Sequence, residues 1–96
     1  MDTIFYILLG VRTTAGFHIY GQYFLGNDRE VALDIFSQLK CNETSTDKAV
    51  LHIDFMENIE GHAIKIKTIC CNLEELSCNC KLITKETFKH LNLEHL

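Results

Sequence analysis

The sequence predicts an α+β domain of two layers, in which helices lie against a four-stranded, mainly antiparallel sheet. Two pairs of segments have the composition of strands, 3–12 with 15–25 and 49–57 with 62–71, and a short turn joins each pair. Each pair leads into an Asn-x-x-Glu pattern that is typical of a helix start. We therefore expect the order ββαββα, with one main helix and short C-terminal helices.

Composition limits the classes of function that the chain can have. The 96 residues, 47% of them apolar, are expected to form a single α+β domain, 1–96. Thirteen acidic residues outnumber nine basic ones, and no basic run occurs. Because binding to a phosphate backbone requires clustered Lys and Arg, no nucleic-acid partner is expected.

The first strand is predicted from the apolar run IFYILLGV, residues 4–11. Such a run is typical of a strand that is buried on both faces. Eight residues are too few to span a bilayer, and only the acidic Asp2 stands where a signal peptide would be basic. We therefore expect no membrane partner and a cytoplasmic protein.

Strict alternation in the second strand predicts two faces, one with Phe17, Ile19, Tyr23 and Leu25 and the other with His18, Tyr20, Gln22 and Phe24. Gly10 and Gly21 lie inside the first two strands. Glycine inside a strand indicates either a bulge, which is the favoured interpretation, or a notch that admits a ligand or a partner's side chain.

A main helix is predicted over residues 28–40. Asn27 is its expected N-cap, and Glu30 completes a pattern resembling a capping box. Apolar residues recur with helical periodicity at Val31, Ala32, Ile35, Phe36 and Leu39. The polar segment 41–48 that follows is expected to be a surface loop.

The second hairpin is predicted from alternating apolar and polar residues on both sides of NIEG, residues 58–61. Pairing Asn58 with Gly61 would place Phe55 opposite Ile64 and Asp54 opposite Lys65. Apolar residues would then face apolar residues and opposite charges would meet, which favours this register.

Two short helices are predicted at the C-terminal end. Asn72 and Glu75 form a second Asn-x-x-Glu pattern, and the helix they start is expected to end near residue 78, with Asn79 closing it. Thr84 is the expected N-cap of a last helix of about eight residues.

Four of the five cysteines lie within residues 70–80, at Cys70, Cys71, Cys78 and Cys80. Neither pair has the C-x-x-C spacing that is typical of zinc knuckles and of dithiol exchange. Strand alternation separates Cys70 from Cys71 and directs Cys70 into the core after Ile64 and Ile66. Buried, reduced thiols are therefore favoured, and zinc binding or thiol-redox chemistry at this cluster is the alternative function.

A polar sheet face is predicted at His52, Asp54, Lys65 and Lys67. A histidine, a carboxylate and a lysine within reach of one another can perform acid–base chemistry, but half-solvated sheets carry such residues by default. No phosphate-loop, dinucleotide or nucleophile-elbow pattern is present in the sequence. We therefore expect no cofactor and no catalytic residue.

The first hairpin predicts self-association, because its first strand is apolar on both faces and one main helix can cover only one of them. We therefore expect a non-catalytic binding or self-association module, most simply a twofold homodimer. The alternative is that the terminal helix and residues 93–96 fold back over the second face.

Overall fold

The computed structural model describes residues 3–41 and 50–90, and it has the predicted ββαββα order. The elements are β1 (Thr3–Thr13), β2 (Gly16–Gly26), α1 (Arg29–Ser37), β3 (Leu51–Ile59), β4 (His62–Cys71) and α2 (Leu73–His90). The strands form one antiparallel sheet in the order β2-β1-β3-β4. The α+β prediction is therefore confirmed, whereas most of the predicted loop 41–48 and residues 93–96 lie outside the described residues.

Both helices pack on the same face of the sheet, which we call the covered face. One core cluster joins them to all four strands, and it contains Phe5, Ile7, Leu9, Leu25, Ala32, Ile35, Phe36, Leu39, Ile53, Phe55, Ile69, Cys71 and Ile83. Among the described residues, no helix or strand lies over the opposite face, which we call the open face. No described helix is both long and apolar enough to cross a membrane.

Strand β1 alternates without interruption against β3, as the sequence predicts. Phe5, Ile7 and Leu9 are buried on the covered face. The residues between them, Ile4, Tyr6 and Leu8, therefore lie on the open face. The central strand thus presents apolar side chains to both sides of the sheet, although only one side carries helices.

Strand β2 departs from the predicted alternation, because it has an extra residue relative to β1 at Tyr20 and again at Leu25. A bulge moves all later residues of a strand to the other face. Phe17 and Ile19 therefore lie on the open face, and Tyr23 packs on the core instead of sharing their face. The grouping of these three residues was wrong, and the bulge interpretation of the strand glycines is the one that the structure supports.

The second hairpin has a register different from the predicted one. Ile59 pairs with His62, and Glu60 and Gly61 form a two-residue turn with φ of 51° and 89°. Positive φ at both central residues is what a type I′ turn requires. The prediction that Asn58 pairs with Gly61 was wrong. The two-residue turn was not recognisable from the sequence, because Glu is an unusual residue for the left-handed position of such a turn.

Strand β4 contains a bulge between Lys67 and Lys65, which pair with Phe55 and Met56. This bulge changes the pairing register of β3 with β4 beyond it. Asp54 consequently opposes Thr68, whose hydroxyl donates to Asp54 Oδ1 at 2.7 Å. Lys65 Nζ still reaches Asp54 Oδ2 diagonally, at 3.7 Å. The predicted ion pair therefore forms, although its partners are not directly opposite each other.

The helix starts follow capping chemistry. Asp28, one residue after the predicted Asn27, caps α1 by accepting the backbone N–H groups of Glu30 and Val31 at 3.0 and 3.3 Å. Asn72 and Glu75 cap α2 reciprocally, because the side chain of each accepts the backbone N–H of the other, at 2.9 and 2.8 Å. The second capping box is therefore confirmed.

Helix α2 is continuous where the sequence predicted two short helices. Asn79 does not end it, and Thr84 donates its hydroxyl back to the carbonyl of Cys80 at 2.9 Å rather than capping a new helix. Instead, the amide of Asn79 forms a clasp with the backbone of Lys40, just after α1. Its Oδ1 accepts from the Lys40 N–H at 2.7 Å, and its Nδ2 donates to the Lys40 carbonyl at 2.8 Å.

The clasp satisfies the only polar side chain among the buried residues of the described part of the chain, since Asn79 is 1% exposed. A buried amide that loses its partners is costly. The two hydrogen bonds therefore hold the end of α1 against the middle of α2 and give the two helices one fixed arrangement over the sheet.

We expect Asn79→Ala to lower the free energy of unfolding by about 2–4 kcal/mol, because it leaves both polar backbone groups of Lys40 without their partner. Urea unfolding followed by circular dichroism measures the effect, with the exposed Ser77→Ala on the same helix as the control. A loss no larger than that of Ser77→Ala would show that the clasp contributes nothing.

We expect Glu60→Asn to raise the free energy of unfolding by about 0.5–1 kcal/mol, because Asn tolerates the left-handed conformation that Glu adopts at a cost. Glu60→Gln is the matched control, since it removes the same charge without favouring positive φ. Thermal unfolding of the three proteins checks the prediction. Equal melting temperatures for the Asn and Gln variants would contradict the type I′ turn.

Candidate functional site

The open face carries an apolar surface on β1 and β2 that extends to one residue of β3, with the polar Gln22 between Ile19 and Phe24 and the charged Arg12 beside Phe17. We call this surface the apolar patch, and it consists of Ile4, Tyr6, Leu8, Phe17, Ile19, Phe24 and Met56. Phe24 is 63% exposed, Ile19 55%, Phe17 48% and Ile4 42%. Tyr6 and Met56 are buried between these residues, and the rings of Tyr6 and Phe24 lie 6.4 Å apart.

The β3–β4 side of the open face is polar, and we call it the polar half. It carries the hydrogen-bonded and ion-paired side chains of Asp54, Thr68 and Lys65. The structure places Lys67 elsewhere, because Lys67 pairs with Phe55 on the covered face. The four residues of the predicted polar sheet face therefore do not come together, and those that share the open face lie on a flat strand surface and not in a cleft.

His52 belongs to a row of side chains that crosses all four strands of the open face. The Arg12 guanidinium lies 5.1 Å from the centre of the Phe17 ring, and the edge of that ring meets His52 with centroids 4.4 Å apart. His52 Nε2 in turn lies 3.9 Å from Cys70 Sγ. Phe17 of β2 reaches His52 of β3 across β1 beside Gly10, which pairs with His52 and has no side chain to stand between the two rings.

A cysteine beside a histidine resembles a nucleophile with its base, but this pair lacks an activated thiol. Cys70 is buried, and burial raises the pKa of its thiol, an effect that the nearby Arg12 only partly offsets. A nucleophilic cysteine needs a lowered pKa and an accessible sulfur. The arrangement therefore indicates packing between Cys70 and His52 rather than catalysis.

The four clustered cysteines point in different directions. Cys70 lies on the open face and Cys71 on the covered face, so their separation is confirmed. Cys70 is buried as predicted, but it lies on the open face and outside the core cluster under the helices, because the bulge in β4 exchanges the two faces. Cys78 is exposed on α2, and Cys80 is half-buried there, where its hydrogen bond raises the pKa of Tyr23.

Neither a metal site nor a disulfide is formed by these residues. All five cysteines lie in the described ranges and have free thiols. Within residues 3–41 and 50–90, no three His, Cys, Asp or Glu side chains come close enough to hold a metal ion. Burial also raises the pKa of Cys71 to about 11. The geometry of the cluster thus gives no support to the zinc or thiol-redox alternative.

Side chains of the same chain lie beside Gly10 and Gly21, the positions at which a notch was the alternative to a bulge. A β-carbon on Gly10 would lie 3.6 Å from Ile19 and 3.7 Å from Phe17. One on Gly21 would lie 3.1 Å from the Leu9 side chain. Phe17 and Ile19 belong to the exposed apolar patch because of the bulge in β2, which strict alternation did not predict. The glycines inside the strands were the sequence feature that could have indicated this bulge.

Comparisons with protein-family models, with curated proteins and with solved structures found no match. Function is therefore inferred from the surfaces of this chain. The apolar patch departs from an ordinary monomer surface, since scattered exposed apolar residues are normal but a group of them on one sheet face is typical of an interaction site.

We expect Cys71 to react with iodoacetamide at pH 8 at least about 100-fold more slowly than the exposed Cys78, because a pKa near 11 leaves little thiolate and the sulfur is buried. Peptide mapping by mass spectrometry measures both rates, and in urea all five thiols should react alike. Comparable rates in the folded protein, or stoichiometric zinc by elemental analysis, would contradict this account of the cluster.

Proposed function

We propose that the protein is a non-catalytic binding module that associates with a second copy of itself through the apolar patch. The observation that carries this proposal is the exposure of four large apolar side chains, Phe17, Ile19, Phe24 and Ile4, on one continuous sheet surface. Aromatic residues are enriched in the cores of protein interfaces. A closed twofold pair is the most common way for a small protein to bury such a surface.

The chemistry of the patch suits a second copy of the same chain. The apolar patch contains no charged side chain, although the chain has a formal net charge of −4. The residues of the patch therefore bring no charge of their own into an isologous interface, and the adjacent Arg12 guanidinium lies 5.1 Å from the centre of the Phe17 ring, which gives it a cation–π partner.

The size of the patch indicates a modest affinity. Standard interfaces bury about 800 Å² on each partner, and the apolar patch occupies roughly half of one face of a small sheet. Interfaces at the lower end of the size range form reversible complexes. We therefore expect monomer and dimer to exchange at micromolar concentrations.

A reducing compartment is part of the proposal. Five free thiols, two of them exposed at Cys41 and Cys78, suit a cytoplasmic protein better than a secreted one, because oxidising compartments favour disulfides.

We expect Phe24→Asp to weaken self-association at least about tenfold, because it places a charge in the proposed interface. Leu73→Asp is the matched control. Leu73 is even more exposed, at 74%, but it is the first residue of α2. An acidic side chain there interacts favourably with the helix dipole, so the substitution should not destabilise the fold. Sedimentation velocity of the three proteins from 1 to 200 µM, a range chosen around the expected affinity, measures the dissociation constants.

The wild-type chain should sediment as a mixture of 11 kDa monomers and dimers of twice that mass, and Leu73→Asp should behave in the same way. A wild-type chain that stays at 11 kDa over the whole range would refute the dimer. Equal weakening by both substitutions would show that the interface is not on the open face.

A further inference from the structure

We infer that the second copy covers only the β1–β2 side of the open face, and that the twofold axis runs along the strands between β1 and β2. This inference rests on the proposed homodimer and specifies where the partner lies. It follows from the division of the open face into an apolar patch on β1 and β2 and a polar half on β3 and β4.

Two sheets that pack face to face can be related by a twofold axis in two simple ways. An axis across the strands places every strand over its own copy, so both complete open faces are buried. An axis along the strands, between β1 and β2, places β1 of each copy over β2 of the other, and β3 and β4 of the two copies then project outward on opposite sides. Only the second arrangement covers the β1–β2 half of each face and leaves the β3–β4 half uncovered.

The charges of the polar half decide between these arrangements. The Lys65 side chain is 58% exposed, and it forms an ion pair with Asp54, whose side chain is 15% exposed, so water solvates mainly the lysine end of the pair. Full overlap would bury two copies of this pair between the sheets, at a desolvation cost that such pairs seldom recover. The offset arrangement leaves both copies of this pair in water and still buries Phe17, Ile19 and Phe24. Arg12, which lies over the Phe17 ring, is covered in either arrangement and does not distinguish them.

The offset arrangement makes specific neighbours. Residues at the same height along the axis face each other, so Phe24 of one copy lies over Tyr6 of the other, since these two residues also pair within each chain. Ile19 likewise lies over Gly10 of the second copy. The strand with the most exposed aromatic residue thus packs on the central strand of its partner.

A distance measurement across the dimer distinguishes the two arrangements. With strands about 4.8 Å apart and sheets about 10 Å apart, the two copies of β4 are about 25 Å from each other in the offset arrangement. They are within roughly 15 Å at Lys65 if the axis runs across the strands. A spin label attached through a keto amino acid at position 65 leaves the native thiols unmodified, and double electron–electron resonance reports the separation.

A separation near 25 Å, together with a dissociation constant for Lys65→Glu within about threefold of the wild-type value, is the expected result. A dimer with labels within roughly 15 Å, or one that Lys65→Glu disrupts, would overturn the offset arrangement while leaving the homodimer intact. If neither the labelled nor the unlabelled chain dimerises in sedimentation, the homodimer itself fails and the inference fails with it.

Discussion

Burial of one face of β1 beneath both helices is the constraint on which the rest of the structure depends. Phe5, Ile7 and Leu9 are at most 4% exposed, and they lie in the same cluster as residues from both helices. Phe55 on the neighbouring strand stacks against Phe5 and against Phe36 of α1, with ring centroids 6.0 and 4.9 Å apart. Aromatic contacts of this kind dominate the stability of a small core.

Because both helices serve this one core, neither covers the other side of the sheet. The clasp of Asn79 on Lys40 fixes α1 and α2 to each other on the covered face. Within residues 3–41 and 50–90, no helix or strand covers the apolar residues that β1 and β2 present to the open face. The functional proposal follows from this distribution of apolar surface, and it requires no catalytic group.

Much of the fold is predictable from local sequence signals. The order of elements follows from strand composition and capping residues, and the alternation of β1 follows from its apolar run. Single-residue insertions are harder to predict, because the bulges at Tyr20 and in β4 leave the composition of each strand unchanged while reversing its faces. The role of Asn79 was missed for a different reason: a local pattern that favours a helix end is overridden by a partner, Lys40, that lies 39 residues away.

The candidate site was predicted only in part, because the bulges in β2 and β4 reverse strand faces that were predicted from strict alternation. The first strand was expected to be apolar on both faces, and its uninterrupted pairing with β3 places Ile4, Tyr6 and Leu8 together on the open face. Phe17 and Ile19 join them only because of the bulge. The cysteine cluster, which is the most conspicuous pattern in the sequence, separates in space since adjacent strand residues point to opposite faces.

The most direct test of the central claim, that a second copy buries the apolar patch on the β1–β2 side of the open face, is an isotope-filtered NOE experiment on a mixture of labelled and unlabelled chains. The account predicts intermolecular cross-peaks from the ring of Phe24 to Tyr6 of the other copy, at concentrations above the dissociation constant. Cross-peaks that arise instead from exposed residues of the helices, such as Leu33 or Leu73, would contradict it, as would their complete absence from a sample shown to be dimeric.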